Sequence, residues 1–266
     1  MQHANTAVLV EKRGHVMIVT MNRPEARNAV NVHTHLGIGL ALEDAEADPE
    51  IRVVILTGAG DKAFCAGADL VAVSRGESLQ PDDPAQAAWG FAGFVSHPIS
   101  KPIIAAVNGF ALGGGTEISL AADLVVAADT AFFGLPEVKR GIIAGAGGAF
   151  RIIQQLPRKI GMEMLLTGER ISAERAYELG LVNKVVSFDQ LMEAALELAA
   201  RIVVNAPLSV QASKRIAMAI DDGRMAADDA HWGRTIREIG PLMTSEDAKE
   251  GPLAFAQKRE PVWKAR

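Results

Sequence analysis

KPIIAAVNGFALGGGTEISLAADLVVAADTAFFGLPEVKRGIIAGAGG, Lys101 to Gly148, is the stretch around which the rest of this 266-residue chain is arranged. Ile103 to Val107 form a short apolar run of the kind found in a strand buried on both faces. Asn108-Gly109 breaks that run, and Gly113, Gly114 and Gly115 lead into a helix. Three residues without side chains let a ligand approach main-chain N–H groups closely. At a helix start those N–H groups are unpaired and lie at the positive end of the dipole, which suits negative charge developing on an oxygen. Glu117 follows two residues after the last glycine. A second carboxylate, Glu137, stands behind Pro136 on a loop or strand end. An oxyanion-binding loop with two candidate acid/base groups reads as an active site.

Working towards the N-terminus, Ala85 to Val95 is expected to be a helix, and Ser74 to Pro84 is a polar surface loop. Lys62 to Leu70, KAFCAGADL, is a small-residue loop that enters a helix after a strand at Arg52 to Leu56. Asn31 to Ala47 has helical spacing and stops at Asp48-Pro49. Ala7 to Glu11 and His15 to Met21 are strands split by Arg13-Gly14, a hairpin signal. Asp123 to Ala128 reads as a further strand. Towards the C-terminus, helices are expected at 149–156, 160–167 and 173–179, then a strand at 181–186 and a long helix at 189–204. Beyond Pro207 the pattern is helical only, at about 208–220, 225–239 and 245–258. The fold class is therefore α/β, with a body over residues 1–205 and a helical region over 206–266.

Composition narrows the function. With 49% hydrophobic and 22% charged residues, the chain resembles an ordinary globular protein. A net charge of −5 and a pI near 5.7 argue against nucleic-acid binding, which needs a basic face. Apolar stretches are interrupted well before the roughly 20 residues of a membrane span, and no secretory leader is visible. The single cysteine, Cys65, excludes an intrachain disulfide and fits a reducing, cytoplasmic setting. His33 and His35 are two apart on a helix and point in different directions, so no metal site is expected. A dinucleotide fingerprint is rejected on spacing, since Gly109 and Gly113 to Gly115 do not make G-x-G-x-x-G.

Each motif alone has a plainer reading. The glycine triplet with Glu117 could be turn packing before a surface helix. Glu137 could pair with Lys139 or Arg140, Cys65 could be a small buried apolar residue, and Phe255 and Lys258 could be an anchor and a solvated charge. Together, however, they resemble the crotonase (enoyl-CoA hydratase/isomerase) family over essentially the whole chain. The carriers are Asn22-Arg23-Pro24, AFCAGADL at 63–70, AAVNGFALGGGTE at 105–117, FGLPEVKRGIIAGAGG at 133–148, LTGERISAERAYELGLVNKVV at 166–186 and FAQKR at 255–259.

The resemblance implies a spiral of ββα turns with a C-terminal helical trimerisation region, giving a homotrimer or a dimer of trimers. It implies an acyl-CoA thioester substrate, CoA being part of the substrate, with no metal or redox cofactor. By motif position the N–H groups of Ala68 and Gly114 would hold the thioester oxygen. Glu117 and Glu137 would be the catalytic pair, and Gly145 a main-chain donor near the catalytic water. Arg23, Arg27, Lys62, Ala66, Asp69 and Leu70 match CoA-binding positions, while Phe255 and Lys258 match a pair reaching the CoA of a neighbouring subunit. The expected activity is enoyl-CoA hydration. Isomerases of this fold often lack one of the two glutamates, and RNA-binding relatives should show a lysine-rich strip. Three departures stand out: Glu25 where many relatives carry lysine, Ala144 in place of a proline, and Arg140 where fatty-acyl hydratases often have an aliphatic residue. The ending, Ser245 to Lys264, is similar to that of carnitinyl-CoA dehydratases, which implies hydration of crotonobetainyl-CoA as an alternative.

Overall fold

Repeated strand–strand–helix turns build this chain, and the computed structural model describes residues 6–221 and 223–266. The expectation of no secretory leader was read on residues 1–13, of which 1–5 lie outside the described residues. In the first turn β1 (Val8–Arg13) and β2 (Val16–Met21) pair antiparallel, and α1 (Val32–Ala47) follows with Asn31 capping it by accepting from Thr34 N. The second turn holds β3 (Val53–Gly58), β4 (Ala63–Cys65), α2 (Leu70–Ser74) and α3 (Pro84–Ala87). The third holds β5 (Ile103–Val107), β6 (Phe110–Leu112) and α4 (Gly114–Ala121). The fourth begins with β7 (Leu124–Ala128) and β8 (Phe132–Gly134), then a 3-10 turn at Pro136–Arg140 and α5 (Gly148–Gln155). It continues through α6 (Arg158–Thr167), β9 (Arg170–Ser172), α7 (Ala173–Glu178), β10 (Lys184–Val186) and α8 (Leu191–Val203).

From the second turn onward the first strand of each turn joins one sheet and the second strand joins another. The large sheet runs β1-β2-β3-β5-β7-β10 and the small one β4-β6-β8-β9. Parallel registers such as Leu56 with Ala105 and Ala105 with Val125 stack the turns in the large sheet. Phe110 with Phe132 does so in the small one. The loops that leave β4, β6 and β8 are therefore brought side by side, and this is what positions the site. The large sheet is covered on both faces. Val54, Leu56, Ala105, Val107, Val125 and Ala127 enter the main core. Their neighbours Val53, Ile55, Ile104, Ala106 and Val126 pack on Leu191, Ala194, Ala195 and Ala199 of α8. Two-sided burial accounts for the unbroken apolar runs, and each such Val or Ile contributes about 1.5–3 kcal/mol.

Residues 206–266 form α9 (Pro207–Ala217), the short strands β11 (Ile220–Asp221) and β12 (Arg224–Met225), α10 (Asp229–Thr244) and α11 (Glu246–Ala256). The region is mainly helical, but the expectation of helix alone is corrected by the β11–β12 pair, where Gly223 has φ +70°. A larger correction concerns 85–95, read as one helix. Only Pro84–Ala87 is α-helical, because Gly90, Ala92 and Gly93 all take positive φ. Tertiary contacts impose this. Trp89 stacks between His35 and His97, and Gly93 lies against the backbone of α1 at His35. Among the described residues no helix is long and apolar enough to cross a membrane.

Candidate active site

Two loops from successive turns meet at a cavity of about 380 Å³. The first is Ala66-Gly67-Ala68, after β4; the second is Gly113-Gly114, where β6 passes into the start of α4. They touch, since a Cβ built on Gly67 would stand 3.3 Å from Gly114 N. Val30 fixes the first loop from both sides, its N–H donating to Gly67 O (2.8 Å) and its carbonyl accepting from Asp69 N (2.9 Å). Among the described residues the N–H groups of Ala68 and Gly114 donate to no main-chain acceptor. Gly113 turns the chain with φ +56°. Gly114 has no room for a side chain because the ring of Phe91 lies against it, and Gly115 abuts the carbonyl of Cys65.

Glu117, in the first turn of α4, is buried at 3% exposure. Its Oε1 accepts from Ala146 N (2.7 Å) and Gly148 N (2.9 Å), so the Gly-Ala-Gly-Gly loop wraps the carboxylate. A Cβ at Gly148 would fall 2.9 Å from that oxygen, which is why this position lacks one. Glu137 sits on the Pro136–Arg140 turn at 9% exposure, and its Oε2 is buried without a hydrogen-bond partner. A Cβ on Gly113 would lie 2.9 Å from its Oε1, placing the second carboxylate beside the Gly113-Gly114 loop. Both carboxyls are held above the usual carboxylate range, first by burial; at Glu117 the neighbouring charge of Glu137 adds to this. The two main-chain donors and the Arg151 guanidinium act in the opposite sense at Glu117. Cys65 is wholly buried and its thiol is pushed up to about 12 by that burial, so it is inert near neutral pH.

The sequence-expected residues divide in two. Ala66, Ala68, Leu70, Gly114, Glu117, Glu137, Gly145 and Phe255 all border the cavity. Arg23, Arg27, Lys62, Asp69 and Lys258 do not. Arg23 and Asp69 turn towards each other at 2.8 Å, Arg23 also donates to Ala29 O, and Asp69 caps α2. Arg27, Lys62 and Lys258 are exposed. Phe255, expected to reach the CoA of a neighbouring subunit, lines the cavity of its own chain, and its place beside a neighbour's CoA is not decided by that. Packing sets it in this cavity: Gly141 and Gly251 leave no room for side chains between α11 and the turn carrying Glu137.

Three residues escaped the sequence reading. Phe91 was hidden by the expected helix. Arg151, on α5 below the loop that wraps Glu117, is 4% exposed and donates to Val95 O (2.9 Å) and Asp228 Oδ2 (2.8 Å). Its guanidinium also lies over the rings of Phe150 and Trp232, at 5.2 and 5.5 Å. It thereby ties the helical tail to the site. A cation at a helix position flanked by apolar residues was the available signal for Arg151; Asp228, on a short 3-10 segment, had none.

The protein-family model described as enoyl-CoA hydratase/isomerase matches residues 11–266. A carnitinyl-CoA dehydratase of Salmonella heidelberg is 44% identical over 259 residues, 96% of this chain and 97% of that protein. The crystal structure of a carnitinyl-CoA hydratase from Mycobacterium avium is 60% identical with a TM-score of 0.96, covering 98% of this chain and 99% of that one. The crystal structure of an enoyl-CoA hydratase from Mycobacterium tuberculosis is 43% identical with a TM-score of 0.75, covering 98% and 100%.

Proposed function

This chain belongs to the enoyl-CoA hydratase/isomerase family, and from that premise we propose that it adds water across the C2=C3 bond of a 2-enoyl-CoA thioester, or removes it in reverse. One observation carries the reading: two buried carboxylates and two undirected main-chain N–H groups border a single cavity. In this reading the thioester oxygen lies between Ala68 N and Gly114 N. Charge that builds at C2 delocalises onto that oxygen, and each donor aimed at it is worth about 3–4 kcal/mol in the transition state.

The two glutamates then take different roles. Glu117 already receives two N–H groups, which favour its ionised form, so it accepts a proton from water as the oxygen bonds to C3. Glu137 has no partner at Oε2 and carries the proton that goes to C2. A coupled buried pair shares one proton more readily than it loses both, and that is the state this division needs. Gly145, bordering the cavity, is assigned a main-chain contact to the water. Isomerisation would not require both acids. The names of the relatives in the preceding comparisons favour crotonobetainyl-CoA as a second substrate reading.

Assembly belongs to the same proposal. Leu208, Ile216 and Ile236 on the helical tail are 76%, 82% and 69% exposed, an apolar surface suited to a homotrimer or a dimer of trimers. The activity is tested by following loss of enone absorbance with crotonyl-CoA. Near-native turnover by both Glu117→Gln and Glu137→Gln would refute the assignment.

A further inference from the structure

We propose that the wall of this cavity is built to take an acyl group ending in an anion, a carboxylate, and that Arg140 is the residue that recognises it. The inference rests on the hydratase reading and adds the chemical class of the acyl tail. Arg140 borders the same cavity as the two glutamates, three residues beyond Glu137 on the same 3-10 turn. At three residues per turn, positions three apart share a face. Its guanidinium carbon lies 4.2 Å from the ring centroid of Phe255, another wall residue, and one nitrogen donates to Lys139 O at 3.0 Å. A ring stacked on the guanidinium face holds it in place and leaves the N–H groups at its edge free to donate.

No carboxylate side chain pairs with Arg140 among the described residues, although acids are close at hand on α11. Glu250 is held by Arg259, Asp247 accepts from the N–H groups of Lys264 and Ala265, and Glu246 pairs with Arg266. On its own turn, Lys139 is engaged with Glu169. The charge of Arg140 therefore remains for whatever enters the cavity, and the other side chains there are apolar apart from the glutamates. A trimethylammonium tail, as in the second substrate reading above, would meet it with like charge, so the two readings exclude each other and the test below separates them. The phosphates of CoA present the same anionic chemistry, but the whole pantetheine arm separates them from the thioester, whereas the acyl group begins there.

The test compares kcat/KM for three short 2-enoyl-CoAs of similar size, ending in a carboxylate, a methyl group or a trimethylammonium group, with the native protein, Arg140→Leu and Arg140→Lys. Native protein should prefer the carboxylate over the methyl compound by about tenfold or more, the span expected of a charge-assisted contact. Leucine should abolish that ratio through KM, and lysine should keep part of it. A native preference for trimethylammonium, or an equal rate on all three, overturns the inference. An equal loss on all three with Arg140→Leu, absent when pantetheine thioesters replace CoA, assigns Arg140 to a CoA phosphate and overturns it too. If native protein hydrates none of the three, the hydratase reading itself fails and the inference falls with it.

Discussion

Replacing Glu117 or Glu137 by glutamine keeps the size of the side chain and removes its proton chemistry. Each change should lower kcat by about 100- to 10,000-fold with little effect on KM, read from initial rates on crotonyl-CoA. The same changes should stabilise the fold at alkaline pH. Both carboxyls are raised above the ordinary value of 4.5 by burial. Their protonated forms therefore contribute stability that is complete below that value and is lost as pH rises through the raised folded-state values. Chemical denaturation at pH 9 should thus show either glutamine variant gaining roughly 1–3 kcal/mol over the native chain, with the gain vanishing at pH 4. For the same reason kcat/KM should follow a bell-shaped pH profile whose acid limb lies above the range of an exposed glutamate. Gly114→Ala would drive a methyl group into Phe91 and displace the N–H beside it, so kcat should fall by about 100- to 1,000-fold.

At the scale of elements, the site depends on how α5 and α11 are seated. Arg151 and Asp228 form a buried ion pair that joins α5 to the segment before α10, with side chains 5% and 16% exposed. Arg151→Met would leave Asp228 charged and half of a pair in a poorly solvated place. Thermal and urea denaturation should register a loss of about 3–5 kcal/mol. Gly251→Ala would push α11 away from the backbone of Arg140, at a cost of about 1–3 kcal/mol. Because Phe255 moves with that helix, KM should rise more than kcat falls. The helix itself was evident from the chain, but its seat was not. Gly141 and Gly251 lie 110 positions apart, and only the folded chain shows that Gly141 abuts Asp247 and Gly251 abuts Arg140.

For the whole molecule, the exposed apolar side chains of the tail predict association. Light scattering on a sizing column should give a trimer or a multiple of it, and Ile216→Glu should shift the mass towards the single chain. Period and punctuation in the chain were enough to fix much of the architecture. The apolar runs read at 52–56, 103–107 and 123–128, the helix read at 31–47 and the glycine triplet before Glu117 are all local signals, set by backbone sterics and by two-sided burial; the first of these strands runs two residues further, to Gly58. Local rules failed where distant groups decided the outcome. The segment 85–95 has helical composition, yet the stacking of Trp89 and the approach of Gly93 to α1 force positive φ values that no nearest-neighbour rule contains. The three-residue strands of the small sheet are too short to carry a pattern and exist because stacked turns supply their partners. The chemistry divides the same way. Residue types and spacing pointed to Glu117, Glu137 and the glycine triplet, and the family resemblance added Ala68 and Gly114. Tertiary structure alone removed water from both carboxylates, gave Glu117 its two N–H donors, left Oε2 of Glu137 without a partner and set Arg140 in the wall with no carboxylate paired to it among the described residues, because desolvation and hydrogen bonding are properties of space rather than of order along the chain.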